Sequence, residues 1–97
     1  MTDILIIEDN EDLGKLIADF LRREGWTVDL ADSAEKGLEL LAGDTYRLLL
    51  LDVMLPGKDG FEALTEIRKT RSMPVLMMSA KTDDNSKILG LEKGLST

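Results

Sequence analysis

The sequence predicts an α/β fold: a parallel sheet with helices on both faces. Three features point to it. Short apolar runs alternate with stretches of helical periodicity four times in strict order. Such alternation needs crossover connections, and right-handed crossovers put helices on both sides of a parallel sheet. The runs Ile4–Ile7 and Leu48–Leu51 are apolar throughout, which marks strands covered on both faces. The chain has 97 residues, 43% of them hydrophobic and only 4% aromatic, enough for one domain with an aliphatic core.

Each element has its own local reason. Ile4–Ile7 is β-branched and short, a first strand. Asn10 is suited to cap the helix after it, in which Leu13, Leu16, Ile17, Phe20 and Leu21 recur at helical spacing and Gly25 stops the chain. Thr27–Leu30 reads as a second strand. Ser33, with Glu35 and then Leu38, Leu40 and Leu41, marks a second helix that stops near Gly43. Leu48–Leu51 is the third strand. Pro56-Gly57 breaks the chain, and Asp59 caps a third helix that turns Phe61, Leu64 and Ile67 inward. Pro74 opens a fourth strand, Val75–Met78, and Asp83 or Asp84 begins a fourth helix through Ile88, Leu89 and Leu91. The expected organisation is one unit over residues 1–97 built of four β-α pairs.

Composition narrows the chemistry. The net charge of −7 argues against nucleic-acid binding by this segment, because phosphate contacts need clustered Lys or Arg. With no cysteine and no histidine, disulfides, thiolate chemistry and imidazole acid–base work are excluded. A metal site would be oxygen-only, favouring Mg²⁺, Ca²⁺ or Mn²⁺. No apolar run approaches the ~18 residues of a membrane span, and no basic, apolar leader precedes the first strand. A cytoplasmic domain without a membrane partner is the expectation.

The acids are placed unevenly. In an open parallel sheet, ligands bind beyond the carboxyl ends of the strands. Glu8 and Asp9 follow the first strand, Asp52 follows the third and Ser79 follows the fourth. Each has an ordinary explanation. Glu8 to Asp12 resembles a helix N-terminus enriched in acids, Asp52 a turn residue, and Ser79 a solvated hydroxyl. Together, with the first and third strands adjacent, three carboxylates and a hydroxyl share one crevice. The carboxylates repel unless one keeps a proton or a cation sits among them. Mg²⁺ fits, and an aspartate beside it can accept a phosphoryl group.

These residues resemble the receiver domain of two-component response regulators. The matching segments are ILIIEDNEDL (Ile4–Leu13), LLLLDVMLPGKDGFEALTEIR (Leu48–Arg68) and MPVLMMSAKTDDNSKILGLEKG (Met73–Gly94). They cover nearly the whole chain, and the pattern D-x-x-[LM]-P-x-x-[DS]-G after an apolar strand is highly specific beside an acidic pair. The resemblance implies a flavodoxin-like three-layer α/β/α fold with strand order 2-1-3-4. It makes Asp52 the phosphoacceptor, and gives the Mg²⁺ ligands as Asp9 directly, Glu8 through water, Asp52, and the Met54 backbone carbonyl. It makes Ser79 the hydroxyl that hydrogen-bonds the phosphoryl group, and Met54 and Lys81 residues that limit water access. The implied partner is a sensor histidine kinase, and the chain is a regulatory phosphoacceptor rather than an enzyme. The last segment looks most like receivers joined to winged-helix DNA-binding domains.

The chain also departs from the family. Family members continue beyond the position of Gly94 into a fifth strand, carrying a lysine followed by proline, and a fifth helix. Here Leu95-Ser96-Thr97 ends the sequence. The expectation is a receiver fold lacking that fifth strand and helix, with impaired phosphorylation and a homo-oligomer formed through the exposed edge of the fourth strand. The competing function is a self-associating assembly fragment with no phospho-switch. An acid-nucleophile phosphatase fits less well, since Val53-Met54 follows Asp52 where a D-x-D motif is needed. A dinucleotide enzyme lacks its G-x-G-x-x-G.

Overall fold

Alternating strands and helices are what the computed structural model contains; it describes residues 1–53, 55 and 60–78. Within them the order is β1 (Thr2–Ile7), α1 (Glu11–Arg23), β2 (Val28–Ala31), α2 (Ala34–Gly43), β3 (Tyr46–Asp52), α3 (Gly60–Arg68) and β4 (Val75–Met78). The four strands form one sheet in the order β2-β1-β3-β4, and every pairing is parallel. The expected fold class and strand order are both present. The expected fourth helix and the Asp59 cap lie outside the described residues.

Residues on a strand alternate between faces, and this sheet uses both. Leu5, Ile7, Leu49, Leu51, Val75 and Met77 point to one side, where they meet Ala34 and Leu41 of α2 and Ala63, Leu64 and Ile67 of α3. Ile4, Ile6, Val28 and Leu50 point to the other, against Ala18 of α1, with Leu48, Leu76 and Met78 half-buried beside them. That explains why the runs lack polar alternation: neither face has water to meet.

Two strands are longer than their apolar runs. β1 begins at Thr2 and β3 at Tyr46, because Thr2 pairs with Tyr46 before the leucines start. Tyr46 is buried and its hydroxyl donates to Asp29 Oδ2 at 2.7 Å, which lets a polar tip end in the core. β2 is shifted one residue along, to Val28–Ala31.

The helix ends follow their caps. The Asn10 side-chain oxygen accepts from the Leu13 amide at 3.0 Å, and Ser33 Oγ accepts from the Lys36 amide at 3.1 Å. Gly25 adopts φ 100°, a left-handed conformation that ends α1 at low cost. The periodicity of α1 misleads in one respect. Leu16 and Phe20 are 63% and 58% exposed, while Gly14 and Ala18 are buried. A Cβ on Gly14 would lie 2.9 Å from Leu30 Cδ1, so the helix rests close to the sheet on its small residues. Ile17 and Leu21 pack beside that contact, while Leu16 and Phe20 turn outward. Phe61, expected inward on α3, is half-buried at the rim of the core.

These burials set mutational costs. Leu49→Ala, in the middle of the sheet, should lose about 2–5 kcal/mol. Leu16→Ala should change stability by no more than about 0.5 kcal/mol despite its place in the apolar repeat. Urea denaturation of the two variants checks both; equal losses would contradict the orientation of α1.

Candidate carboxylate site

The pairing of β1 with β3 builds the site. Ile7 is opposite Leu51, so the next residue on each strand, Glu8 and Asp52, emerges side by side at the carboxyl edge. Asp52 is the last residue of β3 rather than a residue after it, and it is paired with Met78 of β4. The ladder also continues past β1, since the Glu8 amide donates to the Ala31 carbonyl at 3.0 Å. Both carboxylates are held by strand backbone on either side.

Glu8 and Asp52 are buried, at 2% and 1% exposure, whereas Asp9 is exposed. One carboxylate oxygen from each of Glu8, Asp9 and Asp52 lies within 4.8 Å of the others. Glu8 Oε2 accepts from the Asn10 amide at 3.0 Å. Glu8 Oε1 is buried with no hydrogen-bond partner among the described residues. A buried carboxylate oxygen without a donor costs free energy unless something completes it. An oxygen-only cluster with one orphaned lone-pair site fits a hard divalent cation such as Mg²⁺.

The electrostatics agree with that need. Burial pushes the Glu8 carboxyl up to about 7; the Asn10 amide opposes the rise, and the neighbouring Asp52 charge adds to it. Burial thus favours the protonated form of Glu8, and repulsion from Asp52 adds to that preference.

Three of the expected site residues, Glu8, Asp9 and Asp52, therefore meet. Met54, Ser79 and Lys81 lie outside the described residues. The role of the Asn10 backbone was not legible, because any residue at that position supplies the same amide. Gly60 also touches the site. Its amide donates to the Val53 carbonyl at 2.6 Å, and a Cβ there would overlap the Asp52 carbonyl oxygen. The family pattern quoted above ends on this glycine, and the local signal is a glycine opening a helix, a position where its poor propensity needs a reason.

An open parallel sheet in the order 2-1-3-4 with paired acids after its first strand and an aspartate ending its third is the arrangement expected of a receiver. The family model for the response regulator receiver domain matches residues 4–97, and the chain belongs to that family. It is similar to the transcriptional regulatory protein CpxR homolog of Haemophilus influenzae, 39% identical over 94 residues, covering 97% of this chain and 41% of that protein. Among solved structures it resembles the receiver domain of NtrX from Brucella abortus, at 36% identity and TM-score 0.74 over 77% of this chain and 65% of that one. It also resembles response regulator protein TrrA from Thermotoga maritima in complex with Mg(2+)-BeF, at 30% identity and TM-score 0.77 over 84% of this chain and 72% of that one. The chain spans about two fifths of the length of the curated relatives it matches. Among the described residues, no helix is long and apolar enough to cross a membrane.

The raised Glu8 carboxyl gives a pH signature in the metal-free chain. Between about pH 4.5 and 7 the folded state holds a proton that the unfolded state has released. Stability should therefore fall as pH rises through that window, by on the order of 3 kcal/mol, and level off above it. Glu8→Gln should remove the slope. Urea denaturation in chelator between pH 4.5 and 8 reads it directly, and parallel curves for the two proteins would refute the assignment.

Proposed function

We propose that this chain is a phosphoacceptor signalling unit that takes a phosphoryl group on Asp52 with Mg²⁺ bound by Glu8, Asp9 and Asp52. The meeting of these three carboxylates at the carboxyl edge of a receiver fold carries the reading. All 97 residues serve as one receiver unit, with a sensor histidine kinase as the phosphodonor and a cytoplasmic location where that kinase presents its phosphoryl group. TrrA, which this fold resembles, is known in complex with Mg(2+)-BeF, and that supports a cation-dependent reading of this chain.

The chemistry follows from the residues. An Asp52 carboxylate oxygen attacks phosphorus, the bond from phosphorus to the donor breaks, and the donor leaves with that electron pair. Asp9 and Glu8 would hold the cation, with the Met54 carbonyl as a further ligand, as the family resemblance implies. Bound Mg²⁺ supplies neutralisation of charge on the phosphoryl oxygens. The Ser79 hydroxyl donates a hydrogen bond to one of those oxygens. The charge of −7 makes this segment a poor surface for nucleic acid, so DNA contacts belong to other parts of such proteins.

A second reading is favoured by β4, which pairs only with β3 among the described residues and carries Leu76 and Met78 half-buried. A second copy joined along that edge would extend the sheet across a two-fold axis, with the two β4 strands antiparallel. Sedimentation at low micromolar concentration separates the cases: a dimer lost in Leu76→Lys supports edge pairing, and a single species near 10.8 kDa sinks it.

For the phosphoacceptor, incubation with acetyl phosphate should add one phosphoryl group only when Mg²⁺ is present. Intact mass should show the addition lost in Asp52→Asn. Mg²⁺ alone should shift the amide resonances of Glu8, Asp9 and Val53 in the wild type, with apparent affinity at least tenfold weaker in Asp52→Asn. Equal responses of the two proteins would remove Asp52 from the site. Trp26 fluorescence is a poor reporter, because Trp26 sits beside Ile4 and Leu48 at the opposite end of the strands.

A further inference from the structure

The described glycines differ in what a side chain would meet. At Gly25 and Gly43 a Cβ would find open space, and at Gly14 the flexible end of Leu30. At Gly37 it would press on the Ile7 side chain. At Gly60 the obstacle is backbone: a Cβ would overlap the Asp52 carbonyl oxygen and lie 2.7 Å from Val53 Cα, with Met77 Cε at 3.0 Å. Gly60 does not have positive φ, so backbone conformation does not demand glycine there. Space does. The first turn of α3 needs a bare backbone because it presses on the two residues that end β3.

The contact is also a tether. The Gly60 amide donates to the Val53 carbonyl at 2.6 Å, and the Val53 amide donates to the Met78 carbonyl at 2.8 Å. The end of β3 is thus gripped by β4 on one side and by α3 behind it. Asp52 sits in that grip, and its carboxylate must reach Glu8 and Asp9 across the edge.

We propose that Gly60 is a positioning residue for the phosphoacceptor: its bare Cα lets α3 seat against the Asp52–Val53 backbone and so sets where the Asp52 carboxylate stands relative to Glu8 and Asp9. The proposal rests on the phosphoacceptor reading above. A methyl group at position 60 has to displace the Asp52 carbonyl by about 1 Å to reach ordinary contact. Displacements of that size can cost on the order of 10² in a reaction that depends on alignment.

The test compares Gly60→Ala with Ile67→Val, a core change on the same helix that touches no site backbone. Three quantities are read: melting temperature, Mg²⁺ affinity by amide-shift titration, and the initial rate of phosphoryl addition from acetyl phosphate. Gly60→Ala should weaken Mg²⁺ binding at least tenfold and slow labelling on the order of 10², whereas Ile67→Val should lower the melting temperature and leave Mg²⁺ affinity within twofold. Met77→Leu, added to Gly60→Ala, removes the side-chain part of the collision. It should recover melting temperature but not Mg²⁺ affinity; recovery of affinity would mean that Met77, not the Asp52 backbone, was the obstacle, and would overturn the proposal. If Gly60→Ala does not fold, hydrogen exchange in the wild type decides. Mg²⁺ with beryllofluoride should protect the Gly60 amide at least tenfold, and should not do so in Asp52→Asn; an unchanged amide overturns the proposal. A wild type that responds normally alongside an equally responsive Gly60→Ala refutes the positioning role alone. A wild type without any Asp52-dependent Mg²⁺ response refutes the phosphoacceptor reading and this proposal with it.

Discussion

The parallel register between β1 and β3 is the constraint on which the rest of the structure depends. With Ile7 opposite Leu51, the acids that follow each strand are brought to one edge. A slip of one residue would turn every side chain of β1 to the other face. It would exchange Ile4 and Ile6 for Leu5 and Ile7 and aim Glu8 away from Asp52. The apolar runs resist such a slip only through packing, because both faces accept aliphatic residues. The specific determinants are at the other end of the strands: Thr2 pairs with Tyr46 and donates to Asp44, and Asp3 exchanges hydrogen bonds with Thr27. The Thr2 links pin β1 against β3 and the Asp3–Thr27 bonds pin it against β2, both from the edge remote from the carboxylates.

The site works against the stability of the scaffold that holds it. Glu8 and Asp52 are neighbouring buried carboxyl groups, and Glu8 keeps an oxygen without a partner among the described residues. Such an arrangement persists because the surrounding strands over-determine it, with Leu5, Ile6, Ile7, Leu49 and Leu51 fully buried immediately behind the acids. A rigid apolar sheet ends in a cluster of carboxylates, one of whose oxygens, Glu8 Oε1, has no hydrogen-bond partner among the described residues.

Much of the fold was legible in the sequence. The β4 segment Val75–Met78 has the expected bounds, and the Asn10 and Ser33 caps bond as their residue types imply. Where the reading departed, tertiary packing was the cause. Leu16 and Phe20 fit an apolar helical repeat yet face outward, because a helix lying on a flat sheet makes its closest approach through Gly14 and Ala18. Thr2 and Tyr46 joined their strands through partners on the neighbouring strand, which no local propensity encodes. Candidate acids were visible because each interrupts or ends an apolar run, a pattern that core packing alone does not require.

By itself, the sequence determined the α/β alternation, the absence of thiol and imidazole chemistry, and the identity of the acids at the strand ends. Those follow from residue type and from periods of two and 3.6 residues. Only the tertiary structure decided that Glu8, Asp9 and Asp52 lie within 4.8 Å of one another, that Glu8 is buried with an oxygen lacking a partner among the described residues, and that Gly60 presses on the backbone of Asp52. Those are distances between residues more than forty positions apart, or between a helix and the strand end it covers. They are fixed by sheet register and close packing rather than by any property of the residues taken singly.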